Sequence, residues 1–244
     1  KMRFLLYPFS LIIRITTGIR NLLFDLGVLS SKSYNTPIIC VGNLSIGGSG
    51  KTPLINYLTN LLKKQYTIAI ISRGYGRRKK CFKYVEETDS AIEVGDEPLL
   101  LKNKHPEVIV AVEGNRNKAI KKIMQKFPKI DVILLDDGFQ HRRIKAGMNI
   151  ILTPYNLPFF KDYIFPIGKL RESICSKKRA DLFVVAKCPD HITDNDKKYI
   201  IRNIKTTSHQ DIFFSNIKYY DIKNINNKNI KVDPIEYNVL LITG

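Results

Sequence analysis

The chain has 244 residues, of which 44% are hydrophobic, and this argues against wholesale disorder because such a chain can bury one sizeable core or one core with a small appendage. Its four cysteines are scattered without CxxC spacing, so neither a disulfide framework nor a zinc site is indicated, and a reducing compartment fits best. The formal net charge of +18 predicts an anionic partner: a phosphorylated substrate, an anionic bilayer surface or nucleic acid.

The amino end, residues 4–29, is mostly apolar but is interrupted by Arg14, Arg20 and Asp25. Its longest charge-free hydrophobic run, residues 4–13, is about half the length of a membrane span, so this segment is not expected to cross a bilayer alone. The pattern predicts an amphipathic helix in the membrane interface, with Arg14 and Arg20 near lipid headgroups. The alternative is a helix packed on its own domain.

The most informative motif occupies residues 42–53 and follows the apolar run 38–41. A glycine-rich turn between a strand and a helix points successive N–H groups at phosphate oxygens, and the helix N-terminus adds its positive dipole end. The predicted nucleotide-phosphate site consists of Ser45, Ile46, Gly47, Gly48, Ser49, Gly50, Lys51 and Thr52. Lys51 is expected to reach the β- and γ-phosphates, and Thr52 has a hydroxyl of the kind that binds Mg²⁺. Because Ser45 replaces the usual first glycine of this motif, the turn must rely on the later glycines.

Strand and helix patterns alternate along the rest of the chain. Buried strands are predicted at 67–72, 108–112, 132–135, 148–152 and 182–186, and a helix at 115–127. This alternation predicts an α/β fold of the P-loop NTPase type, with a mostly parallel sheet and helices on both faces. Residues 212–220 are expected to form an antiparallel or edge element. Residues 239–244 are expected to form a further strand without a covering helix, as in a truncated chain.

An acidic pair, Asp136 and Asp137, ends the apolar run 132–135. In parallel sheets the ligand site lies beyond the carboxyl ends of the strands, and P-loop enzymes hold Mg²⁺ there with a carboxylate. Two adjacent acids cannot both face one metal along an extended strand, so we expect a turn beginning at Gly138 to redirect one of them. The alternative is a simple strand-end turn.

The segment Gly95-Asp96-Glu97-Pro98 allows two interpretations. Asp96 has the composition of a helix N-cap, followed by a proline in the first turn. Asp96 is also a candidate general base, because phosphoryl transfer to an alcohol needs a carboxylate near the attacking hydroxyl.

Three more polar residues are candidates for the same site. His141 could position a substrate, although a lone histidine more often has a structural role. Arg171 offers a guanidinium fork for phosphate oxygens, and Glu172 offers another carboxylate for a metal ion. The alternative for the last two is the start of a surface helix.

Taken in chain order, the segments 42–44, 51–53, 72–76, 95–98, 136–141 and 170–172 resemble the tetraacyldisaccharide 4'-kinase family of lipid A biosynthesis. The resemblance spans essentially the whole chain, and the ordered set is more specific than any single motif. It implies a kinase that uses ATP and Mg²⁺ to phosphorylate the 4'-hydroxyl of a lipid A disaccharide 1-phosphate. It also implies a monomer that binds the anionic inner-membrane surface at its cytoplasmic face.

The resemblance further implies a role for each matching residue. Asp96 matches the base, Lys51 and Thr52 match the phosphate and Mg²⁺ contacts, and Asp136 with Asp137 matches the acidic pair. The remaining matches are Arg171 in catalysis, Glu172 at the metal, and Arg73, Glu97, Arg116, Gln140 and His141 in substrate binding. The resemblance also implies a histidine, paired with the base, in a carboxy-terminal lobe beyond Gly244.

These expectations divide the chain into a membrane-associated helix at 1–35, a P-loop kinase core at 36–210, and linker strands with the start of a carboxy-terminal lobe at 211–244. The competing function is a membrane-associated P-loop ATPase or switch protein, which would need a positioned glutamine or lysine to activate water. The segment 95–98 and the hydrophobic amino end favour an alcohol acceptor instead. No nucleic acid is expected as a partner, because the sequence has no aromatic-basic platform or helix-turn-helix pattern.

Overall fold

A computed structural model of the protein describes residues 5–218, which form one eight-stranded sheet covered by helices. The strands are β1 (Ile38–Asn43), β2 (Ile68–Ser72), β3 (Lys83–Tyr84), β4 (Ile109–Val112), β5 (Val132–Asp136), β6 (Met148–Pro154), β7 (Leu182–Cys188) and β8 (Asp211–Asn216). The helices are α1 (Tyr7–Asp25), α2 (Lys51–Leu62), α3 (Ala91–Val94), α4 (Asp96–Lys104), α5 (Arg116–Lys126) and α6 (Asp194–Ile204). Short 3-10 helices at Phe159–Lys161 and Ile174–Arg179 separate β6 from β7.

The strand order in the sheet is β3-β4-β2-β5-β1-β6-β7-β8, and every neighbouring pair is parallel except β3 with β4. This confirms the predicted α/β fold with a mostly parallel sheet. The central strand β1 has β5 and β2 on one side and β6 and β7 on the other. The loops that follow these five strands therefore meet at one edge of the sheet, where ligands of such folds bind.

Apolar residues of the central strands alternate between two cores, one on each face of the sheet. Ile133 and Leu135 of β5 belong to the core that includes residues of α5 and α6, whereas Val132 and Leu134 belong to the core that includes residues of α2 and α4. Burial on both faces explains why these strands read as continuous apolar runs in the sequence.

Strand β8 differs in part from its prediction. It lies at the edge of the described sheet, as expected, but it pairs in parallel with β7, so the antiparallel alternative is wrong. The intervening helix α6 provides the crossover that a parallel neighbour requires. Asp211–Asn216 therefore lies in the core sheet. The strand predicted at 239–244 lies outside the described residues.

Helix α1 is attached to the core through polar contacts. Ser10 Oγ donates to the Ile164 carbonyl at 2.7 Å, and Asn21 Nδ2 donates to a Glu172 carboxylate oxygen at 2.9 Å. Apolar side chains stay exposed along one helical face: Ile12, Ile15, Ile19 and Leu22. No helix among residues 5–218 combines the length and hydropathy that a membrane span requires.

Candidate active site

The P-loop follows β1 at the centre of the sheet edge. Gly50 is the N-cap of α2 with φ of 92°, a left-handed conformation that favours glycine. No side chain caps α2 and its first turn contains no acid, so its leading N–H groups are available to an anion. Asn43 braces the loop, because its Nδ2 donates to Ser49 Oγ at 2.9 Å. The helix begins at Lys51, the residue expected to reach the phosphates.

The first residues of the predicted nucleotide-phosphate site already form hydrogen bonds within the protein. Ile46 N donates to the Lys169 carbonyl at 2.7 Å, and Ser45 faces Leu170 in a short antiparallel bridge. The Ile46 N–H is therefore already used, which argues against its predicted role in phosphate binding. The donors for a phosphate are expected from the glycines that follow it. The same pairing brings the segment 169–171 against the P-loop, a contact that the sequence alone did not indicate.

Asp136 is buried at the end of β5. Its Oδ2 accepts a hydrogen bond from Ser72 Oγ at 3.0 Å, whereas its buried Oδ1 has no hydrogen-bond partner among the described residues. Burial and the nearby charge of Glu97 raise the pKa of Asp136 to about 6. One oxygen of this carboxylate is thus left for a further ligand.

Asp137 turns away from its neighbour. Its φ of 49° lies in the left-handed region, so the chain direction changes at Asp137 itself, one residue before the predicted turn at Gly138. Its carboxylate accepts from Arg171 Nη1 at 2.9 Å and lies 3.6 Å from Lys51 Nζ. Burial acts to raise the pKa of Asp137, but the charges of Lys51 and Arg171 hold it below its ordinary value. As predicted, the two acids face different partners.

Asp96 is the first residue of α4, and the N-cap is Gly95. The interpretation of Asp96 as the N-cap is therefore wrong; it is a first-turn acid with an exposed side chain. A Cβ on Gly95 would lie 3.1 Å from Gly74 Cα, so Gly95 packs against the segment 72–76. The charge of Glu97 contributes to the raised pKa of Asp136, which indicates that these two carboxylates are near each other.

Arg116 is buried behind the acidic pair. Its guanidinium donates to the backbone carbonyl of Glu113 and, at 3.3 Å, to that of Asp136. Burial lowers the pKa of Arg116 to about 10. Two of its donors are thus engaged by the protein backbone, which supports a role in positioning Asp136 more than the predicted direct contact with substrate.

The sequence of the chain matches one known protein family along nearly its whole length. A family model described as tetraacyldisaccharide-1-P 4'-kinase matches residues 2–237. The chain belongs to the tetraacyldisaccharide-1-P 4'-kinase family.

Relatives within this kinase family support the assignment. The chain is 44% identical to a tetraacyldisaccharide 4'-kinase of Flavobacterium johnsoniae, over 89% of this chain and 64% of the relative. It is 40% identical to that of Bacteroides fragilis, over 98% of this chain and 66% of the relative. A crystal structure of LpxK from Aquifex aeolicus in complex with ATP has a TM-score of 0.74 and 35% identity, over 88% of this chain and 64% of that one. The chain thus spans less than two thirds of the length of these relatives.

Glu172, predicted as a metal ligand of the kinase, is enclosed by donors. Its side chain is fully buried, and one carboxylate oxygen accepts from Arg179 Nη2 at 2.7 Å and from Asn21 Nδ2 at 2.9 Å. The other oxygen accepts from Gln140 Nε2 at 3.4 Å. Gln140 in turn accepts from Arg171 Nη1 at 3.2 Å. The geometry therefore favours an anchoring role for Glu172, which joins α1 to the site.

A basic cavity of about 530 Å³ opens between α1 and the segments 114–117 and 140–144. Among residues 5–218 no carboxylate lines it, whereas four arginines and three amide side chains do: Arg20, Arg116, Arg142, Arg143, Asn115, Asn117 and Gln140. His141 also lines the cavity, and its pKa is lowered to about 4 by burial and by the charges of Arg116 and Arg73. The cavity therefore carries a positive potential that suits an anion.

The depressed pKa of His141 predicts a pH dependence of stability. Between pH 6.5 and about 4 the unfolded chain binds a proton at this histidine and the folded protein does not, so stability falls as pH falls through this window. In thermal melts at several pH values, His141→Gln should lose less stability than wild type across the window. The exposed His191→Gln is the control. Identical pH slopes for His141→Gln and wild type would contradict the assignment.

The sequence predicted no role for three residues of the site. Ser72 binds Asp136, Asn43 braces the P-loop, and Asn21 anchors α1. Ser72 and Asn43 end apolar strands, so a systematic search for polar residues at strand ends would have found them. Asn21 carries no comparable signal, because its partner lies 151 positions away.

Proposed function

We propose that this protein binds ATP and Mg²⁺ at the P-loop and transfers the γ-phosphoryl group to the 4'-hydroxyl of a tetraacyldisaccharide 1-phosphate, a lipid A precursor. The observation that carries the proposal is the convergence of Lys51, Asp136 and Asp137 at the ends of the paired strands β1 and β5, in a member of this kinase family. The ATP complex of the Aquifex aeolicus relative supports the choice of nucleotide.

The residues present fit the phosphates of ATP. The uncapped N-terminus of α2 provides N–H groups and the positive end of the helix dipole. Lys51 Nζ, which lies 3.6 Å from Asp137 Oδ1, carries the charge that would meet the β- and γ-phosphates. Arg171 contacts the same Asp137 carboxylate as Lys51 and so adds a second cation beside the P-loop.

The residues present also fit a magnesium ion. Mg²⁺ usually takes one or two protein carboxylates and completes its shell with water and phosphate oxygens. Asp136 Oδ1 is buried and unpartnered among the described residues, which makes Asp136 the better candidate ligand of the pair, with the hydroxyl of Thr52 beside the P-loop lysine. No group of three or more histidine, cysteine or acidic residues within 5–218 could hold a metal by itself. When bound, the ion neutralises charge on the transferred phosphoryl group.

Asp96 is the proposed general base. Its exposed carboxylate stands at the start of α4, next in the chain to Glu97, whose charge contributes to the raised pKa of Asp136. In the transfer step the acceptor oxygen bonds to the γ-phosphorus while the bond from that phosphorus to the β,γ-bridging oxygen breaks and ADP leaves, and Asp96 accepts the proton of the acceptor hydroxyl. Glu97 lies next to it in the chain and belongs to the same site.

The basic cavity is the proposed site for the sugar and 1-phosphate of the acceptor. Its lining by Arg20 and Arg143 provides cations for a phosphate, and the neutral His141 provides a ring for sugar hydroxyls. Arg142 and Gln140 also line the cavity, but Arg142 is paired with Asp25 and the Gln140 amide is bonded to Glu172 and Arg171. Arg73, whose charge contributes to the lowered pKa of His141, is a further proposed contact for the acceptor.

Helix α1 is the proposed membrane contact, at the cytoplasmic face of the inner membrane. Its exposed apolar face and its two arginines match an interfacial helix, while the polar contacts of Ser10 and Asn21 hold the opposite side on the core. The protein is proposed to act there as a monomer.

The triple substitution Ile12→Ser, Ile15→Ser and Ile19→Ser should lower the partition coefficient of the protein onto vesicles of anionic phospholipid by at least ~100-fold. Each isoleucine that becomes buried in the lipid interface contributes about 1.5 to 3 kcal/mol to binding. Co-sedimentation with vesicles measures the effect. The control is Tyr57→Ser with Leu61→Ser, which removes exposed apolar side chains from α2. Equal sedimentation of the triple variant and wild type would rule out this face as the contact.

The function as a whole is tested with the intact protein, magnesium and γ-labelled ATP. Transfer of label to a tetraacyldisaccharide 1-phosphate, and its absence when the 4'-hydroxyl of the acceptor is blocked, is the expected result. Release of inorganic phosphate without labelled lipid would instead indicate an ATPase.

A further inference from the structure

Lys187, near the carboxyl end of β7, has an unusual backbone conformation. Its φ of 59° lies in the left-handed region, which is unfavourable for a residue with a Cβ. The ladder between β7 and β8 changes register at the same place, between Val185 and Cys188. The side chain is exposed, although its neighbours Ala186 and Cys188 are buried. Irregularities of this kind in a strand serve to redirect a side chain.

The redirected side chain reaches the P-loop. Lys187 Nζ donates to the backbone carbonyl of Gly48 at 2.8 Å, between residues 139 positions apart in the chain. The strand itself also touches the loop, since a Cβ on Gly50 would lie 3.7 Å from Ala186 Cβ. The end of β7 thus forms a wall of the cradle.

Lys51 and Lys187, the two lysines beside the P-loop, differ in the groups that they contact. Lys51 lies near the carboxylate of Asp137, on the side of the loop next to β5. Among residues 5–218, Lys187 has no carboxylate partner, and its contact is the Gly48 carbonyl. An ammonium group has three donors, so a carbonyl uses only part of its capacity and leaves its charge uncompensated beside a phosphate site.

We propose that Lys187 is a positioning residue of the nucleotide site, which holds the Gly48 carbonyl on the outside of the P-loop so that neighbouring N–H groups face the phosphates of a nucleoside triphosphate. Its positive charge also favours the bound polyphosphate. The inference rests on the proposed nucleotide site, but none of the motifs in the sequence assigns this residue.

The first test uses the strained backbone. Lys187→Gly removes both the side chain and the strain, so it should melt no lower than wild type and yet bind ATP with Mg²⁺ about tenfold more weakly in calorimetric titrations. Lys205→Gly is the matched control, because Lys205 also has a left-handed φ, 51°, at the end of α6. That variant should keep the ATP affinity of wild type.

The second test separates the charge from the stem. Lys187→Met keeps a side chain of similar length without the ammonium and should weaken ATP binding about tenfold, whereas Lys187→Arg should restore affinity to within about threefold of wild type.

Two results would overturn the inference. One is ATP affinity within about twofold of wild type in both Lys187→Gly and Lys187→Met. The other is a large drop in melting temperature of Lys187→Gly with unchanged ATP affinity, which indicates a purely structural lysine. If wild type itself binds no ATP, the proposed function and this inference fail together. If wild type binds ATP and the variants bind equally well, this inference alone fails.

Discussion

Asp96→Asn should keep the affinity for ATP nearly unchanged and lower the rate of phosphoryl transfer by ~10²- to 10⁴-fold, the loss typical of removing a general base. Asparagine preserves the size of the side chain but cannot accept the proton of the acceptor hydroxyl. Because Gly95 and not Asp96 is the N-cap of α4, the substitution removes no cap from the helix. Single-turnover transfer and equilibrium ATP binding by the intact protein are the two measurements.

A matched control for Asp96 exists in α6. Asp194 is likewise the first residue of its helix, after the N-cap Thr193, so Asp194→Asn changes the charge at the same helical position away from the site. Both variants should show similarly small changes in melting temperature, and only Asp96→Asn should lose transfer. An Asp96→Asn protein with wild-type turnover would refute the assignment of the base.

Lys51→Ala should lower transfer by about 10²- to 10³-fold, the range found when one preorganised donor to a transition state is removed. The substitution removes the cation proposed to meet the β- and γ-phosphates. It leaves Asp137 paired with Arg171, whose Nη1 lies 2.9 Å from the carboxylate, so the fold and the turn at Asp137 should persist. Steady-state transfer and the melting temperature are measured together.

The control for Lys51 is at the other end of the same helix. Lys63 follows α2 and forms an ion pair with Glu107 at 2.8 Å, so Lys63→Ala removes a paired lysine from the helix but not from the cradle. We expect nearly normal transfer from it, because partly exposed ion pairs contribute little to stability. Near-normal turnover by Lys51→Ala would remove the P-loop lysine from the mechanism.

The fold was largely predictable because its strands are buried on both faces. Such strands appear in the sequence as short apolar runs, and the helices between them fix their direction as parallel. The prediction was incomplete at β8, an edge strand whose residues are mostly exposed. Exposure weakens the apolar run, and pairing direction then depends on the crossover α6 instead of the strand residues.

The candidate site was predictable where a motif is contiguous. The P-loop and the pair Asp136 and Asp137 are local patterns, and the strand ends bring them together. Contacts made across the sheet were not predictable. The pairing of Ile46 with Lys169 and the bond from Lys187 to Gly48 depend on the order of strands, which the sequence does not encode in any short segment.

The chain of hydrogen bonds from Asn21 through Glu172, Gln140 and Arg171 to Asp137 has a mechanical consequence. Lifting α1 from the core breaks the bond of Asn21 first and loosens the carboxylate that orients Gln140. A displaced Gln140 in turn weakens its hydrogen bond with Arg171, which contacts the same Asp137 carboxylate as Lys51. The attachment of α1 to the core and the orientation of the arginine beside the P-loop are therefore coupled, so a displaced α1 leaves the proposed nucleotide site less well ordered.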